Sequence, residues 1–168
     1  MSKTIRLTRG HVAIVNDADH QWLSRWNWCA KVDGAHVYAV RRDYTSDPPR
    51  MVRMHRQILQ PGSELDTDHR NGDGLDNRRG NLRPCTRSQN LMNATKRSGC
   101  TSIYKGVSWF KPIGKWRAYI VRDQRQQSLG YFDDEQEAAR AYNEAAAQLF
   151  GQFARLNQIP SITAQEEE

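Results

Sequence analysis

The stretch D-T-D-H-R-N-G-D-G-L-D-N-R-R-G-N-L-R-P-C-T-R-S-Q-N-L-M-N, residues 66–93, decides the fold of this chain. It places a carboxylate beside an imidazole, Asp68 and His69, and adds two later asparagines, Asn81 and Asn90. N-G-D-G is a turn signal between two short extended runs, and the segment after the second run is typical of a helix. We therefore predict a strand, a loop, a returning strand and a helix that brings Asn90 over the first strand.

These residue types suit the hydrolysis of a phosphodiester bond. A neutral imidazole can take a proton from an attacking water, so His69 is the predicted general base. Mg²⁺ prefers oxygen ligands and often uses only one or two protein groups, which predicts Asp68 and Asn90 as ligands of one Mg²⁺ or Mn²⁺ ion. Asn81 is available to fix the tautomer of His69. The alternative interpretation is that the stretch only forms turns and that the Asp–His pair is structural.

Two capping patterns predict where helices begin. Thr86 is followed three residues later by Gln89, and Asp133 is followed at the same distance by Gln136. In a capping box the first side chain accepts a hydrogen bond from the backbone of the third residue after it, and that residue's side chain returns one. We therefore expect one helix after Thr86 and another after Asp133.

The first half of the chain resembles the HNH nucleases, especially the phage and intron-associated homing endonucleases with a ββα-metal core. The resemblance is carried by M-H-R at residues 54–56, D-H-R-N-G-D, D-N-R-R-G-N-L-R and the Q-N-L-M-N helix. It implies Asp68 and Asn90 as metal ligands, His69 as general base, and Asn81 as the residue that steadies the loop or the histidine. His55, in M-H-R, is interpreted as structural.

Composition and charge favour a nucleic-acid partner. The 168 residues carry a formal net charge of +6, with a sequence pI of about 9.5, and a basic protein of this kind fits double-stranded DNA. The three cysteines, Cys29, Cys85 and Cys100, form no C-x-x-C pair, so no zinc site or disulfide framework is expected. The sequence shows no signal peptide or membrane span, which predicts a cytoplasmic protein.

Residues 1–50 predict a β-rich module that contacts DNA. Two short runs around residues 5–7 and 12–15 form an expected hairpin, and a short helix and a second hairpin across Asp33-Gly34 follow. The nearby tryptophans are expected to form a small core rather than to stack on bases. Two arginines on the approach to the core and three in residues 66–93 are predicted to contact DNA, with a solvated basic face as the alternative: Arg53, Arg56, Arg70, Arg78 and Arg83.

Residues 104–158 predict a three-stranded antiparallel sheet packed on one helix. The strands are expected at 104–109, 114–121 and 127–132. The helix has an apolar face of Ala138, Tyr142, Ala145 and Leu149, spaced at intervals of three and four residues. This face is expected to pack on alternate residues of the middle strand, namely Trp116, Ala118 and Ile120. Strand alternation then places Lys115, Arg117 and Tyr119 on the opposite face, where they can contact DNA.

The same segment resembles the Apetala-2/ethylene-response-factor DNA-binding domain. Y-K-G-V, G-K-W-x-A, L-G-Y-F and the helix E-A-A-R-A-Y-N-E-A-A carry the resemblance. It implies Lys105, Ser108, Tyr119 and Gln126 as DNA-facing residues. Serine, isoleucine and valine replace family arginines or a tryptophan at residues 108, 113 and 121, so the family's base preference does not transfer. A sheet face that only supports the nuclease or a partner protein is the alternative interpretation.

The sequence as a whole predicts an α+β protein built of small modules in series. They are an N-terminal β-rich module (1–50), a ββα-metal HNH core (51–97), a linker (98–103), the Apetala-2-like domain (104–158) and an acidic tail (159–168). The predicted function is a homing-type DNA endonuclease with one Mg²⁺ or Mn²⁺ ion, acting as a monomer or weak dimer in a host cell of a phage or intron. The alternatives are a DNA-binding regulator without cleavage and an RNA-directed protein.

Overall fold

The computed structural model describes residues 1–96 and 99–160. They form small antiparallel sheets combined with helices, which confirms the predicted α+β class. The chain divides into two compact units, Met1–Asn93 and Ala94–Glu168. The predicted helix break at residues 97–98, the first residue of the predicted linker and the predicted acidic tail beyond residue 160 lie outside the described residues.

The first unit begins with a hairpin and a three-stranded sheet. Strands β1 and β2 pair antiparallel, and β4 lies between β3 and β5. The strand after the second hairpin and the helix that follows it were not predicted as separate elements. The elements are β1 Ser2–Arg6, β2 Val12–Asn16, α1 Asp17–Leu23, β3 Cys29–Asp33, β4 His36–Asp43, β5 Arg50–Arg53 and α2 Met54–Leu59.

A ββα arrangement completes this unit, as the sequence predicts. Strand β6 (Asp66–His69) pairs antiparallel with β7 (Leu82–Cys85), and helix α3 (Arg87–Asn93) follows. The capping box at the start of α3 is confirmed. The Thr86 amide donates to Gln89 Oε1 at 2.8 Å, and the Gln89 amide donates to Thr86 Oγ1 at 3.2 Å.

One apolar core joins the ββα elements to the N-terminal strands. It includes Val15, Leu23, Ala39, Met54 and Leu82, all of which are buried. Trp28 belongs to this core, and Trp22 and Trp26 pack against it. Burial of apolar surface therefore stabilises the first 93 residues as one body.

The second unit is a three-stranded antiparallel sheet that packs on one helix. Strand β9 (Lys115–Arg122) lies between β8 (Val107–Phe110) and β10 (Arg125–Phe132), and α4 spans Glu135–Phe150. The cap of α4 is Asp134, not the predicted Asp133, because Asp134 accepts a hydrogen bond from the Glu137 amide at 2.9 Å.

The apolar face of α4 also differs in part from the prediction. Ala138 and Tyr142 are buried as expected, but the C-terminal half buries Ala146 and Phe150, and Leu149 is exposed. The buried residues from Ala138 to Phe150 follow steps of four, and because a helix has 3.6 residues per turn, this buried stripe rotates slowly around the helix.

Within the described residues, no helix has the length and apolar character needed to cross a membrane.

Candidate functional site

Asp68 and His69 occupy the end of β6 and are both buried, with 5% and 6% exposure. Because neighbouring side chains on a strand point to opposite faces, the two groups meet different neighbours. Asp68 faces Arg83 and helix α3, whereas His69 faces the loop between β6 and β7 and two aromatic rings.

The Asp68 carboxylate is held by a guanidinium and an amide. Arg83 donates from Nε to Oδ2 at 2.7 Å, and its Nη2 lies 2.6 Å from the same oxygen. The Asn93 amide nitrogen lies 2.9 Å from Oδ1 and 3.1 Å from Oδ2. The buried charge is therefore paired and hydrogen-bonded, as a buried carboxylate requires. Among the described residues, Oδ1 accepts a hydrogen bond from Asn93, and a carboxylate oxygen has capacity for a further ligand.

Helix α3 carries two asparagines, Asn90 and Asn93, and the contacts of Asn93 hold the helix against β6. Asn93 Nδ2 donates to the His69 carbonyl at 2.8 Å as well as to Asp68, so it ties the helix to the end of β6. Asn90 lies one helical turn earlier, and residues three apart share a helix face. Its side chain is half-buried and makes no hydrogen bond to another described residue.

The His69 ring lies among polar and aromatic groups. Its Nε2 is 3.5 Å from Asn77 Oδ1, the His55 ring packs edge-on at 4.9 Å, and Tyr38 lies 6.2 Å away between ring centroids. Burial lowers the pKa of His69, while the Asn77 contact and the Asp68 charge oppose that shift. The imidazole is therefore held in its neutral form, which a general base requires.

His55 differs from His69 in its access to partners. Burial lowers the pKa of His55 to about 3, with a further contribution from His69. Among the described residues, the buried side-chain atoms without a partner include His55 Nδ1 but neither nitrogen of His69. His55 thus has one buried nitrogen without a partner, Nδ1, whereas each nitrogen of His69 has either a partner or contact with solvent.

Hydrogen bonds among its own side chains shape the loop between β6 and β7. Asn81 Oδ1 accepts from the Asn71 amide at 3.1 Å, and Asn81 Nδ2 donates to the Asp76 carbonyl at 2.7 Å. Arg78 binds the buried Asp76 carboxylate through two hydrogen bonds of 2.7 and 2.6 Å and lowers its pKa. Asn81 therefore lies in the loop network, and the amide that faces His69 is Asn77.

The N-terminal strands support this loop directly. The Ile14 amide donates to the Leu75 carbonyl at 2.9 Å, and the Asn77 amide donates to the Ile14 carbonyl at 2.7 Å. A Cβ atom at Gly74 would lie 2.4 Å from the Val37 carbonyl and 2.7 Å from the Tyr38 ring. Glycine is therefore required there for the loop to close on β4.

The arginines predicted to contact DNA in this unit have different surroundings. Arg53 is exposed on β5, and Arg70 is exposed directly after His69. Arg56 donates to the Leu65 carbonyl at 3.0 Å, and Arg78 is paired with Asp76. Arg83 lies in the interior with 5% exposure and pairs with Asp68, so it presents little surface to a phosphate.

In the second unit, Arg117 and Tyr119 lie on the face of β9 away from α4. The guanidinium carbon of Arg117 is 5.1 Å from the Tyr119 ring centroid and 5.6 Å from that of Phe110. Ala118 and Ile120 alternate with them and are buried. Aromatic rings therefore hold the Arg117 guanidinium on the outer side of the sheet.

The other predicted DNA-contacting residues of this unit differ in their exposure and in their partners. Lys115 pairs with Asp133 at 3.0 Å, Ser108 is half-buried on β8, and Gln126 is exposed on β10. Lys105 is half-buried, donates from Nζ to the Ala94 carbonyl at 2.7 Å, and has its pKa lowered to about 8 by burial.

Comparison with known proteins covers most of the chain. An uncharacterised HNH endonuclease of Acanthamoeba polyphaga mimivirus is 32% identical over 157 residues, which are 90% of this chain and 77% of the viral protein. The chain belongs to the HNH endonuclease family. No protein-family model matches it, and no solved structure does.

Part of this HNH chain is also similar to plant proteins. An AP2-like ethylene-responsive transcription factor of Arabidopsis thaliana is 39% identical over 57 residues, which are 34% of this chain. Dehydration-responsive element-binding protein 2D of the same plant is 37% identical over 88 residues, or 45% of this chain. The chain spans only 12% and 42% of the lengths of these two proteins.

Asp68 and Asn90 carry oxygen donors of the kind that a hard divalent cation takes. Within residues 1–96 and 99–160, no cluster of three or more His, Cys, Asp or Glu side chains is arranged to hold a metal ion. A cation here would instead use the remaining capacity of Asp68 Oδ1 and the Asn90 amide oxygen. Mg²⁺ accepts so few protein ligands when water and phosphate complete its shell.

Sequence reasoning missed several residues of this HNH centre. Arg83 pairs with Asp68, Asn93 bridges Asp68 and His69, and Asn77 faces the His69 ring. The signal for Asn93 was available, because it lies three residues after Asn90 on the same helix. No signal distinguished Asn77 from Asn81, since both lie in D-N-R-R-G-N.

Proposed function

We propose that the protein is a homing-type, metal-dependent DNA endonuclease that nicks one strand as a monomer. The observation that carries the proposal is the meeting of β6 with α3, where Asn93 bonds both the Asp68 carboxylate and the His69 carbonyl. This contact joins the strand end that carries the Asp68 carboxylate and the His69 imidazole to the helix that carries Asn90. The family relationship to a viral HNH endonuclease supports the same function.

In this proposal each group has one role. Asp68 Oδ1 and the Asn90 amide oxygen would hold one Mg²⁺ or Mn²⁺ ion, which supplies charge stabilisation for the phosphate and the leaving oxygen. His69 takes the proton from the attacking water, because burial keeps its ring neutral. Arg83 and Asn93 fix the carboxylate so that Oδ1 remains available. Asn81 steadies the loop that surrounds His69.

DNA binding is assigned to both units. Arg53, Arg56, Arg70 and Arg78 supply positive charge on the first unit. On the second unit the outer sheet face would contact the double helix through Ser108, Lys115, Arg117, Tyr119 and Gln126, and Lys105 would contact it as well. The similarity to plant AP2-type proteins supports this assignment.

A host-cell cytoplasm, with a phage or intron as the source of the gene, is the setting that fits this function.

One observation favours a second candidate, a DNA-binding regulator without cleavage. Arg83 already neutralises Asp68, and His69 is 6% exposed, so the centre resembles a structural ion pair beside a packed ring. A regulator would keep the basic surfaces that bind DNA and would not cleave the DNA.

Supercoiled plasmid incubated with the protein and Mg²⁺ or Mn²⁺ tests both candidates. We expect relaxed circles from the wild type, and none from His69→Ala or from samples with chelator. Asn81→Ala serves as a loop control and should retain measurable nicking. Binding of the plasmid without nicking in either metal would contradict the endonuclease and support the regulator.

A further inference from the structure

Asn77 is a fully buried amide whose orientation is fixed by its surroundings. It has 0% exposure, and its backbone amide donates to the Ile14 carbonyl at 2.7 Å. Its side-chain nitrogen points to two carbonyl oxygens, those of Leu75 at 3.1 Å and Gly74 at 3.5 Å. Carbonyl oxygens only accept hydrogen bonds, so the nitrogen must face them. The Asn77 Oδ1 atom consequently faces His69.

This orientation determines which nitrogen of His69 carries a proton. Nε2 lies 3.5 Å from Asn77 Oδ1, and an amide oxygen cannot donate. The contact is therefore a hydrogen bond only when Nε2 bears the hydrogen, and a neutral imidazole has only one. Nδ1 then keeps its lone pair. The distance is at the outer limit for a hydrogen bond, and such bonds in catalytic centres shorten when substrate binds.

The surroundings of the ring oppose its reorientation. The His55 ring packs edge-on against His69 at 4.9 Å, and Tyr38 contacts both histidines, with centroids 5.7 and 6.2 Å away. The backbone of His69 is held by Asn93, which donates to its carbonyl at 2.8 Å. A half-turn of the ring would exchange Nε2 with Cε1 and place a C–H group, a much weaker donor, against the Asn77 oxygen.

We propose that Asn77 is the positioning residue that holds His69 as the Nε2–H tautomer and leaves Nδ1 as its proton-accepting atom. The use of Nδ1 in cleavage rests on the proposed nuclease function, but the tautomer itself does not. Asn81 does not take this role, because its side chain is bound within the loop. Its oxygen accepts from the Asn71 amide, and its nitrogen donates to Asn71 Oδ1 and the Asp76 carbonyl.

The tautomer can be measured in the full-length protein without any cleavage. Long-range ¹H–¹⁵N correlation spectra of ¹⁵N-histidine-labelled protein distinguish a protonated ring nitrogen from one with a lone pair, and His69→Gln identifies the signals. We expect the wild type to show Nε2 protonated and Nδ1 not. Protonation of Nδ1 in the wild type would overturn the assignment, whether or not any variant folds.

Variants of Asn77 then test its positioning role. In Asn77→Ala we expect a mixture of tautomers and a kcat about 10- to 100-fold lower, with DNA affinity in Ca²⁺ unchanged. A folded Asn77→Ala protein with the wild-type spectrum, or with kcat within twofold of wild type, would overturn the proposal. If wild-type protein shows the Nε2–H form but nicks no DNA, the assignment stands and the nuclease function fails.

Discussion

The centre of the first unit and the outer sheet face of the second hold their polar groups in opposite ways. Asp68, Arg83 and Asn93 are each 5% exposed and bind one another. Arg117 and Tyr119 are half-exposed, and their neighbours along β9 form a separate apolar core. In the centre the groups needed for chemistry also hold the fold, whereas on the sheet face binding groups and core lie on different sides. A substitution in the centre of the first unit should therefore change both stability and nicking. A substitution on the sheet face of the second unit should change DNA binding alone.

Removal of the Asp68 carboxylate should give the largest effect. Asp68→Ala removes the buried carboxylate that neutralises the Arg83 guanidinium, which costs about 3–5 kcal/mol, and it also removes the proposed metal ligand. We expect no nicking and a first unit much less protected in peptide-resolved hydrogen exchange, with the second unit unchanged.

The double variant Asp68→Ala/Arg83→Met separates the two losses. An apolar side chain in place of the guanidinium removes the buried charge, so hydrogen-exchange protection should return while nicking stays absent. Wild-type protection in Asp68→Ala alone would mean that the ion pair contributes nothing to the fold, and the contrast between the units would fail.

Gly74→Ala should have the next largest effect. The new Cβ would meet the Val37 backbone carbonyl at 2.4 Å, and no side-chain rotation relieves a backbone contact. We expect a loss of about 1–3 kcal/mol and slower nicking, because Tyr38 and then His69 must shift. Thermal unfolding and plasmid nicking measure the two results.

Gly80→Ala is the matched control, since it lies in the same loop and an added Cβ there meets nothing within 4 Å. Equal losses from both glycine variants would show that the loop is sensitive as a whole and that its contact with Tyr38 has no special role.

The sequence predicted the elements of the centre better than its contacts. Local patterns were sufficient for β6, β7 and the capping box of α3, because turn and cap residues act within a few positions. The partners of Asp68 and His69 come from residues 8 to 25 positions away, and several amides and cations of the same type compete for each role. The DNA contacts in residues 66–93 illustrate this limit, since Arg70 is exposed and Arg83 is buried.

In the second unit the sequence predicted the faces of the middle strand better than those of the helix. Alternation along β9 correctly assigned Ala118 and Ile120 to the core and left Arg117 on the other face. The helix that covers this core was placed with the wrong capping residue and a rotated C-terminal half, because alanines occur on more than one face of α4. Side chains on a strand alternate between two faces, so the pattern assigns each residue of β9 to one face only.

Arg117→Ala should change binding without changing the fold. Loss of a DNA-contacting arginine costs about 1–3 kcal/mol of affinity, while a surface substitution shifts stability by about 0.5 kcal/mol or less. If Arg117 contacts a phosphate, the log–log salt dependence of binding should also fall by about 0.9. Fluorescence anisotropy with duplex DNA at several salt concentrations measures both quantities.

Arg122→Ala is the control on the same strand, because residue 122 alternates with Arg117 and its guanidinium lies beside Asp123. We expect it to lower affinity less than Arg117→Ala does. Similar losses from both variants would indicate binding through general positive charge, with no preferred face of the sheet.

The smallest effect at neutral pH is expected from His55→Phe, which keeps a ring against His69 and removes the unpaired Nδ1. The pKa of His55 is about 3 in the folded protein and 6.5 in an unfolded chain, so the unfolded state binds more protons between these values. Wild-type stability should therefore fall as the pH drops from about 6.5 towards 3, by up to about 1.4 kcal/mol per pH unit from this group. His55→Phe should flatten that part of the stability curve and still nick plasmid at pH 7. A folded His55→Phe protein that does not nick would show that His55 takes part in the reaction. His55 would then belong to the catalytic centre and would do more than pack against His69.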